Sequence, residues 1–271
     1  MQTLLMDYLR SSRLPHIWCP GCGNGLVMGS LIRAMDALEL QPAEIAIVAG
    51  IGCSSRAAGY MNLQTLHTTH GRAVAFATGL KMARPELKVF VVMGDGDSTA
   101  IGGNHFIHAA RRNIDLNVLI FNNNIYGMTG GQASPLTPQG KKGTTAPYGN
   151  AERNFDIMAL AKGAGATYAA RATTFHLRML DKLIKRGVEN KGFSVIEALT
   201  PCPIGYGRRN KMGDASAMLN WYKENSVLYE KAKNMEPEEV KDKIVVGVHH
   251  EEDAPEFVEE YSRRVSKARK Q

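Results

Sequence analysis

No stretch of this 271-residue sequence approaches the roughly 18–20 uninterrupted apolar residues that a bilayer-crossing helix needs, so no membrane association is expected. The opening segment MQTLLMDYLRSSRLPHIW carries charges and a proline where a secretory signal needs an unbroken apolar core. A cytoplasmic location is the expectation. Internal repeats and low-complexity tracts are missing, and hydrophobic (44%) and charged (22%) residues stand near globular averages, which argues against wholesale disorder. The length suits one large α/β domain or two small ones. Also missing are a recognisable nucleic-acid motif and an interleaved aromatic stripe, so no nucleic-acid partner is expected despite a formal net charge of +7. The cations are dispersed, with short groups only at Arg111-Arg112, Lys141-Lys142 and Arg208-Arg209-Asn210-Lys211. They read as a solvated mixed-charge surface or as a docking face for an acidic protein.

What is present is alternation. Short, nearly continuous apolar runs at Glu44–Ala49, Lys88–Met93, Asn117–Phe121, Ala166–Ala170 and Phe193–Ala198 suit parallel strands covered on both faces. Helical stretches at Arg72–Ala83, Thr99–Arg111, Asn154–Lys162 and Thr174–Val188 lie between them. That pattern predicts an α/β fold with a doubly wound parallel sheet, whose sites lie beyond the carboxyl ends of the strands. The chemistry-bearing segments Gly50-Ile51-Gly52-Cys53, Gly94-Asp95-Gly96-Asp97, Asn122-Asn123-Asn124 and Thr200-Pro201-Cys202-Pro203 each follow a strand candidate. Tyr126 to Asn150, rich in Gly, Pro, Thr and Ser, reads as a long loop or lid. Asp214–Asn234 reads as helical and charged, and Glu236–Gln271 as an arm that packs on a neighbour. Residues 1–271 are taken as a single domain with a core over about 15–209 and a C-terminal extension over about 210–271.

In GDGDSTAIGGNHFIHAARRNIDLNVLIFNNNIYGMTGG a strand ends in Gly-Asp-Gly, a helix follows, and the next strand ends in Asn-Asn. This brings a carboxylate and a carboxamide to the ends of adjacent strands. Magnesium wants about six oxygen ligands, typically one or two carboxylates with phosphates and water. Asp95, the Asn123 amide oxygen and the Ile125 backbone carbonyl form a candidate set. Gly94 and Gly96 let backbone approach phosphates closely, and the helix start at Asp97–Thr99 adds donors for an anion. A lone Gly-Asp-Gly is also an ordinary strand-to-helix turn with Asp95 as N-cap.

The cysteines number four, Cys19, Cys22, Cys53 and Cys202, and all sit in Gly/Pro-punctuated loops. A Cys-x-x-Cys with two distant partners in a cytosolic chain argues for metal rather than disulfides. Structural zinc and a [4Fe–4S] cluster both fit, and spacing does not separate them. A thioredoxin-like pair at Cys19/Cys22 leaves Cys53 and Cys202 unexplained.

The series CPGCGNG, GIGCSSR, HTTHGRA, ATGLKMARPELKV, GDGD, AIGGNHFIHAARRN, NNNIYGMTGGQ resembles the beta subunits of 2-oxoacid:ferredoxin oxidoreductases, from about Cys19 to about Arg209. The resemblance implies a thiamine-diphosphate-binding fold with a C-terminal helical arm. It implies thiamine diphosphate and Mg2+ as cofactors, and a [4Fe–4S] cluster on Cys19, Cys22, Cys53 and Cys202. Asp95, Asn123 and Ile125 become the magnesium ligands. Ile51, Gly52, Cys53 and Ser54, with His70, Gly94, Gly96, Asp97, Gly127 and Met128, are expected against the thiamine cofactor. The implied reaction is reversible oxidative decarboxylation of a 2-oxoacid to its acyl-CoA, with coenzyme A as co-substrate and ferredoxin as electron acceptor.

Thiamine enzymes hold the cofactor between two domains, and only the diphosphate-gripping one is visible here. An alpha subunit is therefore expected to supply the pyrimidine-side domain and the activating glutamate. The family also admits gamma and delta (ferredoxin-like) subunits. No catalytic residue is assigned on this chain; His70 is the candidate to line the pocket, while His67 shares its loop. His105 and His108 read as helix residues, and His249-His250 has no assigned role. YGMTGGQ, without an appended ferredoxin-like cysteine set, points to the 2-oxoglutarate branch, and branched-chain (2-oxoisovalerate) and pyruvate enzymes share much of the pattern. The competing functions are a non-redox thiamine decarboxylase subunit with structural zinc and a non-enzymatic zinc-stabilised interaction subunit.

Overall fold

The computed structural model describes residues 6–270. Residues 1–5, the head of the segment read above as lacking an export signal, and Gln271, the end of the expected extension, lie outside the described residues. The strands are β1 (Ile45–Ala49), β2 (Gln64–His67), β3 (Lys88–Gly94), β4 (Leu116–Asn122), β5 (Tyr168–Thr173), β6 (Phe193–Leu199), β7 (Ser226–Leu228) and β8 (Ile244–Glu251). They form one sheet ordered β2-β1-β3-β4-β6-β5-β8-β7. Every neighbouring pair is parallel except β5 with β8.

The longer helices are α1 (Asn24–Ala37), α2 (Ala73–Ala83), α3 (Gly103–Arg111), α4 (Ile157–Ala164), α5 (Leu177–Glu189), α6 (Ala215–Asn225) and α7 (Phe257–Ala268). Side chains alternate along a strand, so each central strand feeds two cores. Ile45, Ile47, Phe90, Val92, Leu119 and Phe121 face the layer of α1 and α5. Val48, Val89, Val91, Val118 and Ile120 face the layer of α2, α3 and α4. Both faces are apolar, which is why these strands read as continuous hydrophobic runs. In α5, buried Leu180, Leu183, Ile184, Gly187 and Val188 make a stripe at helical spacing. Asp156 caps the start of α4 by accepting from Met158 N–H, and Gly165 closes its end at φ 96°. Among the described residues no helix is long and apolar enough to cross a membrane.

Several elements lay outside the sequence expectation. α1 was not anticipated, and β2 is a four-residue edge strand with mostly exposed side chains. The Thr99–Arg111 helix begins as a π-type turn over Asp97–Ile101 before α3. The C-terminal extension is helical at α6 and α7, but between them β7 and β8 widen the sheet, with β8 antiparallel to β5. The charged flanks and Gly247 at φ 122° hid β8 in the sequence.

Asn113, at φ 49°, ties this extension to the core. Its Oδ1 accepts from Phe193 N–H (2.8 Å) and Thr167 Oγ1 (3.0 Å), and its Nδ2 donates to the carbonyls of Ala254 and Pro255 (3.2 Å each). Removing that side chain strands buried polar groups on three segments and leaves a Cβ residue in left-handed geometry. Asn113→Ala is expected to cost about 2–4 kcal/mol in chemical denaturation and to open residues 244–270 to limited proteolysis. An unchanged midpoint and protease pattern would show that the extension is held elsewhere.

Candidate active site

The register sets the site. Ala49 pairs with Val92, Gly94 with Phe121 and Asn122 with Leu199, so the loops after β1, β3, β4 and β6 leave the sheet at one edge. The chain runs from β1 outward to β2 and returns to β3 on the other side, so β1 and β3 flank a topological switch point, where α/β sheets bind ligands. A cavity of about 90 Å³ opens there. Ile51, Gly52, Cys53 and Ser54 wall it from the first loop, and His70 from the loop before α2. Gly94, Asp95, Gly96 and Asp97 line it from the second loop, and Asn123, Ile125, Gly127 and Met128 from the third. All thirteen residues singled out for the thiamine cofactor and magnesium thus face one cavity. Phe121, Tyr126 and Thr129 join them and were not singled out.

Asp95 is buried, and that burial pushes its carboxyl up to about 7 even though Ser134 Oγ donates to its Oδ2 at 2.5 Å. The Asp95 carbonyl takes the Ser98 and Thr99 hydroxyls (3.1 and 2.7 Å). A carboxylate in such a place is stabilised by a cation beside it. Asn123 is also buried, its Oδ1 accepting only the Ile125 N–H at 3.2 Å. Ser54 Oγ is buried on the cavity wall with no hydrogen-bond partner, a free donor suited to a phosphate. The residues present therefore fit a divalent cation and a diphosphate. Gly96 is needed for packing, because a Cβ there would stand 2.2 Å from the Tyr126 ring.

Asp97 turns away from the role of a simple helix-start donor. Its Oδ1 meets His70 Nδ1 (2.5 Å) and accepts the Gly71 N–H (2.7 Å), while buried Oδ2 has no partner. Burial pushes its carboxyl upward, opposed by the Gly71 N–H and by His70. The pair fixes the His70 ring, which stands edge-on to Tyr126. His67 points elsewhere, into a separate cavity of about 220 Å³ with Arg10, Arg13 and Arg56.

The third loop rests on buried polar groups that the sequence did not reveal. Asn122 Nδ2 donates to Glu197 Oε1 (2.6 Å), and Asn122 Oδ1 accepts from Asn124 N–H (2.9 Å). Asn124 sits at φ 60°, and Thr137 Oγ1 donates to its carbonyl at 2.6 Å. Glu197, 2% exposed, is paired with Arg171 at 2.6 Å, and Arg171 also reaches Asp156 at 2.8 Å. His249 of β8 lies beside this group; burial and then the Arg171 charge hold its pKa below the usual value. The long Gly/Pro-rich loop is pinned through the same region, since Asn150 Nδ2 donates to the Thr137 carbonyl at 2.8 Å.

The four cysteines converge on a second cavity, of about 360 Å³, lined by Cys19, Cys22, Cys53 and Cys202 with Ile17, Ile204 and Arg209. Cys22 N–H donates to the Cys19 carbonyl (3.0 Å), closing the Cys-x-x-Cys turn. That turn docks on the last loop: Gly23 N–H donates to the Pro201 carbonyl, and a Cβ on Gly23 would stand 2.2 Å from Thr200 Oγ1. Trp18 Nε1 donates to the Cys53 carbonyl at 2.7 Å, fastening the same segment to the first loop. Burial pushes the thiols of Cys22 and Cys53 up to about 12 and about 11, with smaller contributions from the other cysteines, and burial raises Cys202 too. Such thiols stay protonated until a metal replaces the proton. Among the described residues no three His, Cys, Asp or Glu side chains stand close enough to hold a single metal ion. The two cavities share Cys53, Asn123, Gly127 and Met128 as a common wall.

Arg171→Met leaves Glu197 buried and unpaired, so it is expected to cost about 3–5 kcal/mol in denaturant unfolding. Adding Glu197→Leu should restore part of that stability, since it removes the buried charge but leaves Asn122 Nδ2 without its acceptor, and a double variant with no recovery at all would show that the pair is not the source of the loss.

A family model described as thiamine pyrophosphate enzyme, C-terminal TPP binding domain, matches residues 50–198. The 2-oxoglutarate synthase subunit KorB of Methanocaldococcus jannaschii is 54% identical over 262 residues, covering 97% of each chain. The protein of the same name from Archaeoglobus fulgidus is 49% identical, covering 96% of this chain and 93% of the relative. A solved 2-oxoglutarate:ferredoxin oxidoreductase from Magnetococcus marinus, with 2-oxoglutarate, coenzyme A and succinyl-CoA bound, superposes with a TM-score of 0.87 at 30% identity. That superposition covers 97% of this chain and 90% of the other. The chain belongs to the beta subunits of the 2-oxoacid:ferredoxin oxidoreductases, in the 2-oxoglutarate branch.

Proposed function

We propose that the chain is the beta subunit of a 2-oxoglutarate:ferredoxin oxidoreductase. The enzyme converts 2-oxoglutarate and coenzyme A to succinyl-CoA and carbon dioxide, reversibly, and passes two electrons singly through a [4Fe–4S] cluster to ferredoxin. The observation that carries this reading is the common wall between the two cavities. One cavity has the hard oxygen donors that magnesium and a diphosphate need, and the other has four thiols suited to iron and sulfide.

Thiamine diphosphate, when bound, supplies the carbanion chemistry. Asp95, Asn123 and the Ile125 carbonyl hold Mg2+, and the Ser54 hydroxyl with the backbone at Gly94 and Gly96 receives the diphosphate. Ile51, Gly52, Gly127 and Met128 form the cofactor's protein-side walls. His70, steadied by Asp97, lines the mouth without an assigned proton transfer. Cys19, Cys22, Cys53 and Cys202 hold the cluster.

Among the described residues the carboxyls lining either cavity are Asp95 and Asp97, with no glutamate. An alpha subunit is proposed to supply the activating glutamate, and gamma and delta subunits are proposed as further members of the complex. Residues 1–271 act as one thiamine-diphosphate-binding domain, and the reduced-thiol chemistry suits the cytoplasm. The zinc-bearing decarboxylase alternative predicts no electron acceptor and zinc without sulfide on the four thiols.

Asp95→Ala is expected to abolish magnesium-dependent binding of thiamine diphosphate in calorimetric titration while leaving iron content intact. Unchanged cofactor affinity would remove Asp95 from the metal site. Cys202→Ser is expected to lower iron and sulfide content and ferredoxin reduction together, and full cluster content with full reduction would count against its ligand role.

A further inference from the structure

The two basic groups that stood apart in the sequence, Lys141-Lys142 and Arg208–Lys211, are brought together in space. Asn210 and Lys142 exchange two hydrogen bonds: Lys142 N–H donates to Asn210 Oδ1 (2.8 Å), and Asn210 Nδ2 donates to the Lys142 carbonyl (3.1 Å). This clasp gathers Lys141, Lys142, Arg208, Arg209 and Lys211 on one rim. All five are exposed, and none joins an ion pair among the described residues. Residues 126–150 and 201–213 contain no Asp or Glu. The carboxylates that follow these stretches are two, exposed Glu152 at one margin and Asp214, which is engaged in capping α6 through Ala217 N–H at 2.8 Å, so the five cations outnumber them. Arg209 connects the rim to the four-thiol cavity, because it lines that cavity. At the same mouth Ile17, Met128 and Ile204 are 63%, 47% and 41% exposed.

An apolar centre with a one-sign charged margin is the make-up of a transient protein interface, where the margin steers encounter and the centre makes contact. The geometry points to this rim as the docking face for a small acidic one-electron carrier protein. The proposal rests on the reading of the four-thiol cavity as a redox centre. A carrier seated over Ile17 and Ile204 stands against the cavity wall itself, so electrons leave by the shortest route out of the chain. Uncompensated charge of this density is otherwise costly to keep together, and a negatively charged partner relieves it.

The test uses the whole enzyme complex with Lys141→Glu, Lys142→Glu and Lys211→Glu combined, none of which lines either cavity. Reduction of a purified acidic ferredoxin is compared with reduction of a small uncharged quinone at two salt concentrations. The proposal expects the ferredoxin KM to rise at least tenfold at low salt, its salt dependence to flatten, and quinone reduction and iron content to stay at the parent values. An unchanged ferredoxin KM with intact quinone reduction overturns the docking face alone. If instead the coenzyme A KM rises and the ferredoxin KM does not, the rim is a phosphate-binding surface and the proposal is wrong. A parent complex that reduces neither acceptor overturns the redox reading and this proposal with it.

Discussion

Parallel pairing of β1, β3, β4 and β6 in matched register is the constraint on which the rest of the molecule depends. It ends four strands at one edge, with Ala49, Gly94, Asn122 and Leu199 delivering their loops side by side. Parallel strands of this kind require helices on both faces, and the two apolar cores supply them. No residue of either candidate site is a neighbour in sequence of all the others. Slipping one strand by a single residue would turn its side chains to the opposite face and separate Asp95 from Asn123.

The edge then divides its chemistry by hardness. Buried oxygen donors gather around Asp95, while exposed Cys19 and half-buried Cys22, Cys53 and Cys202 gather around the adjoining cavity, with Gly127 between: a Cβ there would stand 3.7 Å from Cys53 Sγ and 3.6 Å from Cys202 Sγ. Both sets are uncomfortable in the chain alone, because burial raises the Asp95 carboxyl and the Cys22 and Cys53 thiols together. Groups whose charged forms are penalised by burial are relieved by cations, and the two sets differ in which cation they suit. The supporting polar groups beneath, Glu197 with Arg171 and Asn122, keep the third loop in its turn.

Much of this was legible in the residues. The central strands announced themselves as continuous β-branched runs, and the Gly-Asp-Gly and Asn-Asn motifs named the cavity's second and third walls. What stayed hidden has physical reasons. β2 and β8 alternate or carry glycine and charge, so neither reads as a buried strand. Ser134, which reaches Asp95 from the long Gly/Pro-rich loop, and Glu197, an acid inside an apolar strand, act through contacts distant in sequence. The clasp between Asn210 and Lys142 likewise joins groups that the sequence showed only as dispersed charge. His67 ends β2 and His70 lies in the turn that follows, so the loop expected to hold both is split and they face different cavities.

The central claim is that the four-thiol cavity holds a redox cluster next to the cofactor cavity. Anaerobic quantification of iron, acid-labile sulfide and zinc in the purified complex tests it most directly. The account predicts about four irons and four sulfides per beta chain, as a [4Fe–4S] site requires, with zinc at background. One zinc per chain without sulfide would contradict it, remove the electron path, and leave a thiamine enzyme that does no redox chemistry.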